Sequence, residues 1–248
     1  MDVVACAGVG IRFERGSRRQ MVTASLRRLV RRGEANGERG AFWALRDIGF
    51  RIPTATCVGV CGGNGAGKTT LLRLLAGIYE PDEGAIDVRG RTSTLLSLGA
   101  GISAHLSGRD NIFVAGAVHG LSASALRERY GEIAAFAELD ERTLATPVRY
   151  YSAGMRTRLG FAIATTLTPE ILLLDEVLAT GDGGFRQKSA VRLREVLAGA
   201  HCVVLTSHNL NFLREHAHLA LWLEQGRQRA FGPAGPVLDE YERFMKSA

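Results

Sequence analysis

The chain has 248 residues, of which 46% are hydrophobic and 23% are charged, a balance typical of one large globular domain or two small ones. No apolar run approaches the roughly 20 residues that a membrane-spanning helix needs, which argues against an integral membrane protein. The net charge of +6 permits binding to nucleic acid, to anionic lipid or to neither, so charge alone does not identify a partner.

Short β-like runs and turns fill the N-terminal part and residues 82–98, and they predict a small antiparallel layer. Residues 15–40 differ, because they contain eight arginines against two glutamates. Two interpretations of this basic stretch stay open. It is either a solvated surface loop, or a basic element that faces lipid headgroups or a phosphorylated substrate.

Residues 57–61 form an apolar run that predicts a strand, and a glycine-rich loop follows it. The segment from Gly62 to Thr69 fits the pattern G-x-x-x-x-G-K-[ST], and a helix is predicted from Thr69 to a stop at Gly77. Lysine reaches the β and γ phosphates in such loops, and the following hydroxyl ligates magnesium. The residues expected to bind a nucleoside triphosphate are Gly62, Gly63, Asn64, Gly65, Ala66, Gly67, Lys68, Thr69 and Thr70.

Two further apolar runs, 171–174 and 202–205, lack polar alternation and predict central parallel strands, with a helix over 186–198 between them. Asp175 and Glu176 close the first run, where we expect Asp175 to hold magnesium and Glu176 to polarise the attacking water. His208 follows the second run and is expected near the γ-phosphate. The predicted catalytic residues are therefore Glu176, His208 and Lys68, and the predicted metal ligands are Thr69 and Asp175.

Helical spacing of apolar residues over 106–167 predicts a mostly helical insert. We find no internal repeat, so we expect one domain over 1–248. Its approximate subdomains are a core with a β layer, 1–105 and 168–248, and a helical part, 106–167.

The first residues lack the features of a secretion signal, so we expect the chain to stay in the cytoplasm. The four cysteines have no zinc-type spacing, and three lie in apolar runs, which favours buried free thiols.

In order along the chain, these motifs resemble those of ABC transporter ATPases. The segment Tyr151-Ser-Ala-Gly-Met155 stands where that family carries its Leu-Ser-Gly-Gly-Gln signature, with Ser152 and Gly154 matching it. Asp182 resembles the loop with which each subunit of the family touches the other. The segments 42–50, 95–101, 106–112, 151–155 and 175–182 are similar to those of the ATPases that export O-antigen, teichoic acid and capsule-type polysaccharides.

The resemblance implies an α/β fold, a P-loop NTPase core of the ABC ATPase type with a parallel sheet, a small antiparallel β layer and a helical insert. It also implies ATP hydrolysis with Mg²⁺ in a homodimer, where Ser152 and Gly154 of one copy meet the nucleotide held by the other. Phe13 is the first candidate for stacking on the adenine, and Trp43 the second. The family's glutamine near 94–97 is missing, since Ser97 or its neighbours stand there.

The implied partners are an integral-membrane permease dimer and a lipid-linked polysaccharide, with the chain peripheral on the cytoplasmic face of the inner membrane and no nucleic acid bound. One alternative is a soluble ABC ATPase acting on ribosomes or nucleic acid. Another is a regulatory nucleotide-binding module without turnover.

Overall fold

A computed structural model describes residues 1–14, 41–90, 92–95, 101–118, 120–166, 170–175 and 183–247. The basic stretch at 15–40, Ser97, Glu176 and Asp182 lie outside the described residues, and the predictions made for them stay predictions.

Nine strands are described. In chain order they are β1 Asp2–Glu14, β2 Ala41–Pro53, β3 Thr56–Cys61, β4 Glu83–Val88, β5 Thr92–Leu95, β6 Ile171–Leu174, β7 Cys202–Thr206, β8 Leu219–Glu224 and β9 Arg227–Pro233.

Eight α-helices and one short 3₁₀ turn are described. They are α1 Lys68–Leu75, α2 Gly108–Val118, α3 Ala123–Ala137, α4 Glu141–Leu144, the 3₁₀ turn Val148–Tyr150, α5 Ala153–Ala164, α6 Gly183–Gly199, α7 Leu210–His216 and α8 Ala234–Ser247.

The main sheet has six strands in the order β5-β6-β7-β3-β8-β9. All of its neighbouring pairs are parallel except β8 with β9. Every residue of β3, β6 and β7 is buried, which is why these strands are apolar on both faces. The predicted central strands and the parallel sheet are confirmed, and the carboxyl ends of β6, β7 and β3 lie side by side.

The two faces of the main sheet contribute to two different apolar cores. In β3, Val58 and Val60 pack in one core with helix α1 and the second sheet, whereas Cys57 and Cys61 pack in the other with α5, α6 and α8. This alternation follows from the period of two along a strand. The main sheet thus has helices α5, α6 and α8 on one face, and helix α1 with the second sheet on the other.

The second sheet is antiparallel and has the order β2-β1-β4, which confirms the predicted small β layer. One expectation about this layer is wrong: part of the predicted β region at 82–98 belongs elsewhere. Strand β5 pairs in parallel with β6, from Thr92 opposite Ile171 to Leu95 opposite Leu174, and so extends the main sheet. A short β-like run such as Thr-Ser-Thr-Leu does not reveal its pairing partner, which only the tertiary fold decides.

The region predicted as a helical insert contains α2, α3, α4 and α5 around a third core. Ile112, Leu126, Ile133 and Leu159 are fully buried there. The subdomain boundaries at 106 and 167 stay a prediction. Within the described ranges, no helix combines the length and apolar character required to span a bilayer.

All four cysteines are free and buried, which confirms the expectation of buried free thiols. Burial raises the pKa of the Cys6 and Cys61 thiols to about 12 and that of Cys202 to about 11. A thiol with such a pKa is protonated at neutral pH and reacts slowly.

Candidate nucleotide site

The predicted phosphate-binding loop connects β3, inside the main sheet, to helix α1. Gly62 has φ 147° and Gly67 has φ 104°, in the region that favours glycine. A Cβ atom on Gly62 would lie 2.2 Å from the Leu223 carbonyl oxygen, and one on Gly67 would lie 2.5 Å from a methyl carbon of Leu45. Two glycines of the motif are therefore required by both backbone conformation and space.

Lys68 is the first residue of α1, and its ammonium group lies across the loop. Its Nζ donates to the carbonyl oxygens of Gly62, at 2.7 Å, and Gly63, at 3.0 Å. The N-cap residue of α1 is Gly67, which has no side chain to cap the helix. The first backbone N–H groups of the helix and one cation thus face the same place, which is the arrangement that binds phosphate oxygens.

Asp175 follows β6 directly and is held by the neighbouring strand. The hydroxyl of Thr206, the last residue of β7, donates to Asp175 Oδ1 at 2.8 Å. Thr206 is only 1% exposed, and its hydrogen bond to the partly exposed Asp175 is partly buried. The bond orients the carboxylate at the edge of the sheet next to the loop.

His208 lies two residues beyond β7, in a turn that side chains fix at both ends. Ser207 accepts from the backbone N–H of Asn209 at 3.0 Å, and Asn209 caps helix α7 by accepting from Phe212 N–H at 3.2 Å. The imidazole is exposed. A capped turn gives His208 a defined position even though it lies outside regular secondary structure.

A cavity of about 570 Å³ joins these groups, a size within the usual range for small-molecule sites. One end is polar and contains Lys68, Thr69, Asp175 and His208. The other end is aromatic. The full lining is Phe13, Phe42, Trp43, Ala44, residues 64–70, Asp175, Thr206, Ser207, His208, Gln225 and Gly226.

The aromatic end contains both predicted stacking candidates and a third ring. Phe13 pairs across the strands with Phe42, at 6.2 Å between ring centroids, and packs edge-on against Tyr79 at 5.6 Å. Trp43 is covered by the guanidinium of Arg46, 5.0 Å from its ring centroid. Phe42 is 51% exposed, so it presents the most accessible ring surface of the three positions.

The donor set at the polar end fits a magnesium ion. Thr69 offers a hydroxyl oxygen and Asp175 a carboxylate oxygen, and both line the cavity. Mg²⁺ binds through one or two such protein oxygens while substrate phosphates and water complete its coordination.

Comparison with known proteins agrees with this geometry. The family model described as ABC transporter matches residues 45–179. The chain belongs to the ABC transporter family.

Curated relatives within this family include two export ATPases for O-antigen. The chain is 42% identical over 205 residues to the O-antigen export system ATP-binding protein RfbB of Myxococcus xanthus. The matched segment covers 83% of this chain and 47% of that protein. It is 35% identical over 204 residues to RfbB of Klebsiella pneumoniae, covering 82% of each. The teichoic acids export ATP-binding protein TagH of Bacillus anthracis is 34% identical over 82% of this chain and 37% of its own length. The chain thus spans about half or less of several relatives.

Solved ABC structures share the fold. An ATP-binding subunit of an ABC transporter superposes with a TM-score of 0.70 at 20% identity, covering 97% of this chain and 93% of that one. The dimeric post-hydrolysis state of the ATP-binding cassette MJ0796, bound to ADP and Pi, gives 0.68 at 19% identity, covering 93% of this chain and 98% of that one. The chain therefore has the ABC ATPase fold.

The segment 151–155, which the sequence predicts to be the ABC signature, lies at the start of α5 and is not among the residues that line the cavity of its own chain. Ser152 caps that helix by accepting from Met155 N–H at 3.1 Å, and both Ser152 and Gly154 are exposed. Tyr151, a departure from the family motif, is a core residue whose hydroxyl donates to the Thr143 carbonyl at 2.7 Å. Burial raises the pKa of its phenol.

Sequence reasoning missed three parts of this ABC site. Phe42 was not considered because its exposure depends on the β1–β2 register. Thr206 is a lone polar residue at the end of an otherwise apolar strand, which is a signal that could have been used. Gln225 and Gly226 form a two-residue turn with φ 48° and 75° between β8 and β9. Gly226 N–H donates to the Ala66 carbonyl at 3.1 Å and thereby links this turn to the phosphate-binding loop.

Proposed function

We propose that this chain binds and hydrolyses ATP with Mg²⁺ as the nucleotide-binding subunit of an ABC exporter for a lipid-linked polysaccharide. The observation that carries the proposal is the single cavity in which Lys68, Asp175 and His208 meet a set of aromatic rings. Its polar end suits a triphosphate, and its aromatic end suits a base.

At the polar end, Lys68 and the uncapped N-terminus of α1 neutralise the phosphates and hold them in line. Thr69 and Asp175 would ligate the magnesium ion, which when bound would neutralise negative charge on the phosphates. Thr206 keeps Asp175 oriented through its hydrogen bond.

We assign the catalytic base to Glu176, because it follows Asp175 in the chain at the carboxyl end of β6. A carboxylate there would orient and deprotonate the attacking water. His208 is assigned to the γ-phosphate side of the cavity, where an imidazole N–H can donate to a phosphate oxygen.

We further propose that two copies act together, with Ser152 and Gly154 of one copy completing the site of the other. Their exposure and their absence from the cavity of their own chain support this arrangement. The dimeric form of the similar MJ0796 cassette supports it as well. A homodimer with two-fold symmetry then has two equal composite sites.

The substrate class rests on the relatives named for O-antigen and teichoic acid export. We propose an O-antigen, teichoic-acid or capsule-type polymer, a permease dimer in the membrane, and a peripheral position on the cytoplasmic face of the inner membrane. The same relatives favour export over action on ribosomes or nucleic acid.

The test begins with ATPase activity of the purified chain and of its Lys68→Ala and Glu176→Gln variants. We expect turnover in the wild type, loss of binding in the first variant, and binding without turnover in the second. Glu176→Gln at the wild-type rate would refute the base assignment. No turnover in the wild type would favour a regulatory nucleotide-binding module.

The substrate class needs a cellular test. Deleting the gene should remove surface polysaccharide and leave lipid-linked polymer inside the cell, and wild type but not Lys68→Ala should restore export. Unchanged surface polymer, together with salt-sensitive nucleic-acid binding by the purified chain, would favour the rival function.

A further inference from the structure

Glu138 adopts an unusual backbone conformation at the end of helix α3. Its φ is 57°, in the left-handed region. Its N–H donates to the Ala135 carbonyl at 3.3 Å and that of Leu139 donates to Ala134 at 3.2 Å, the bonding pattern of a helix end where glycine is the usual residue. A glutamate here costs free energy relative to glycine, which raises the question of what its side chain does.

The Glu138 carboxylate connects three helices. Its Oε2 accepts from the guanidinium of Arg158 in α5 at 2.9 Å, and its Oε1 accepts from the ammonium of Lys188 in α6 at 3.2 Å. Each oxygen thus binds a cation from a different helix. The side chain lies at the junction of α3, α5 and α6.

Lys188 makes further contacts with the end of α3. Its Nζ donates to the Phe136 carbonyl at 3.0 Å and to Ala135 at 3.4 Å, and it lies 4.8 Å from the centroid of the Phe136 ring. A cation on the last carbonyls of a helix interacts favourably with the helix dipole. Lys188 therefore ties α6 to both the backbone and the side chain of α3.

Beneath these ionic contacts lies an aromatic cluster from the same three helices. Phe136 stacks on Phe161 of α5 at 5.9 Å and meets Phe185 of α6 edge-on at 5.7 Å. Phe161 and Phe185 are almost fully buried. The junction of the three helices therefore combines a buried aromatic cluster with the two ion pairs of Glu138.

The helices that meet at this junction lead to two parts of the proposed catalytic machinery. Helix α5 starts at Ser152, which we assign to the nucleotide of the partner copy. Helix α6 is the next described element after Asp175. A shift of α5 relative to α6 would change the position of Ser152 relative to Asp175 at the end of β6.

We propose that Glu138 is a positioning residue that couples the signature helix α5 to helix α6 by binding Arg158 and Lys188 together. The proposal rests on the proposed ATPase function of the dimer. We expect Glu138 to affect the closing of the ATP-bound dimer and the turnover of ATP. ATP binding by the monomer should not change, since Glu138 lies outside the nucleotide cavity.

A purely stabilising role makes a different prediction for the same residue. The Glu138 side chain is 47% exposed, and ion pairs at such exposure contribute little to stability. Replacement by glycine relieves the left-handed backbone, so Glu138→Gly should unfold at the same temperature as the wild type or higher. Loss of turnover in this variant would therefore not result from unfolding.

The experiment compares wild type, Glu138→Gly, Glu138→Asp and a control, Glu141→Gln. Glu141 also pairs with an arginine, Arg109 of α2, and accepts from the hydroxyl of Tyr130 in α3, but it contacts neither α5 nor α6 through these bonds. We expect Glu138→Gly to lower kcat roughly three- to ten-fold and to weaken ATP-driven dimerisation in the Glu176→Gln background, with unchanged affinity of the monomer for ATP. Glu138→Asp keeps a carboxylate, and aspartate tolerates the left-handed backbone conformation. This variant should therefore have a higher kcat than Glu138→Gly.

Equal kcat and equal dimerisation in Glu138→Gly and wild type would overturn the coupling role. So would an equal loss in Glu141→Gln, because the effect would then belong to any ion pair of the helical region. If the wild type itself does not hydrolyse ATP, the proposed function fails first, and the two failures are thus distinguishable.

Discussion

The hydrogen bond from Thr206 to Asp175 is a residue-scale feature on which the proposed chemistry depends. Thr206→Val keeps the shape of the side chain but removes the donor, which leaves the Asp175 carboxylate without its orienting partner on β7. We expect kcat to fall about ten-fold, the lower end of the range for groups that orient metal ligands. Steady-state ATPase kinetics over a Mg²⁺ titration measure the change.

A matched control for this prediction is Thr56→Val. Thr56 is also buried at a strand, but its hydroxyl donates to the Thr54 carbonyl at 3.3 Å, away from the cavity. This variant should keep the wild-type kcat. An equal loss of activity in both variants would point to a general effect of the lost hydroxyl on the sheet.

The aromatic end of the cavity gives a second residue-scale prediction. Phe13→Ala should weaken ATP binding about ten-fold, because stacking on one base contributes roughly 1–3 kcal/mol. Phe42→Ala tests whether the more exposed ring shares this role. Inorganic tripolyphosphate has no base, so its affinity should be the same in all three proteins; titration calorimetry with both ligands decides between stacking and loss of fold.

At the scale of the element, the strands of both sheets explain both the burial of the cysteines and a dependence of stability on pH. Burial raises the pKa of Cys6 to about 12 from an ordinary value of 9.0. A folded-state pKa above the unfolded value means that the stabilising contribution is complete below pH 9 and is lost as the pH rises toward 12. The unfolded chain ionises first and becomes favoured.

We therefore expect the free energy of unfolding to fall above pH 9, by at most about 1.4 kcal/mol per pH unit for each such thiol. Cys6→Ala should show a shallower fall over the same range. Urea unfolding from pH 8 to 11 measures both slopes, and the comparison with the variant removes the contribution of other titrating groups. Parallel curves above pH 9 would contradict the predicted effect of Cys6.

At the scale of the whole molecule, the proposed composite site needs Ser152, at the start of α5, from a second copy. Lys68→Ala and Ser152→Asp should each lose turnover as pure proteins. A mixture of the two should regain part of it, because the mixed dimer contains one site with an intact Lys68 and an intact Ser152. ATPase activity of the mixture, against each protein alone, measures the recovery; no recovery would contradict composite sites.

The local motifs were predictable from sequence because their chemistry is contiguous in the chain. The glycines and Lys68 of the phosphate loop act within one strand, loop and helix unit, so their spacing alone indicates phosphate binding. Uninterrupted apolar runs likewise indicated β6 and β7, since only strands covered on both faces lack polar positions. The apolar pattern was sufficient for the α/β class, whereas the ABC family followed from the resemblance of the motifs to those of known ABC ATPases.

The tertiary structure decided everything that depends on which distant segments meet. The register of β1 with β2 exposes Phe42, the pairing of β5 with β6 places that strand in the main sheet, and Thr206 reaches Asp175 only because β6 and β7 are neighbours. In the sequence, nothing distinguishes Glu138 from other surface glutamates. Only the folded structure places Arg158 and Lys188, from two other helices, against its carboxylate. The physical reason is that pairing and side-chain contacts between elements are set by packing of the whole chain, to which local propensity contributes only weakly.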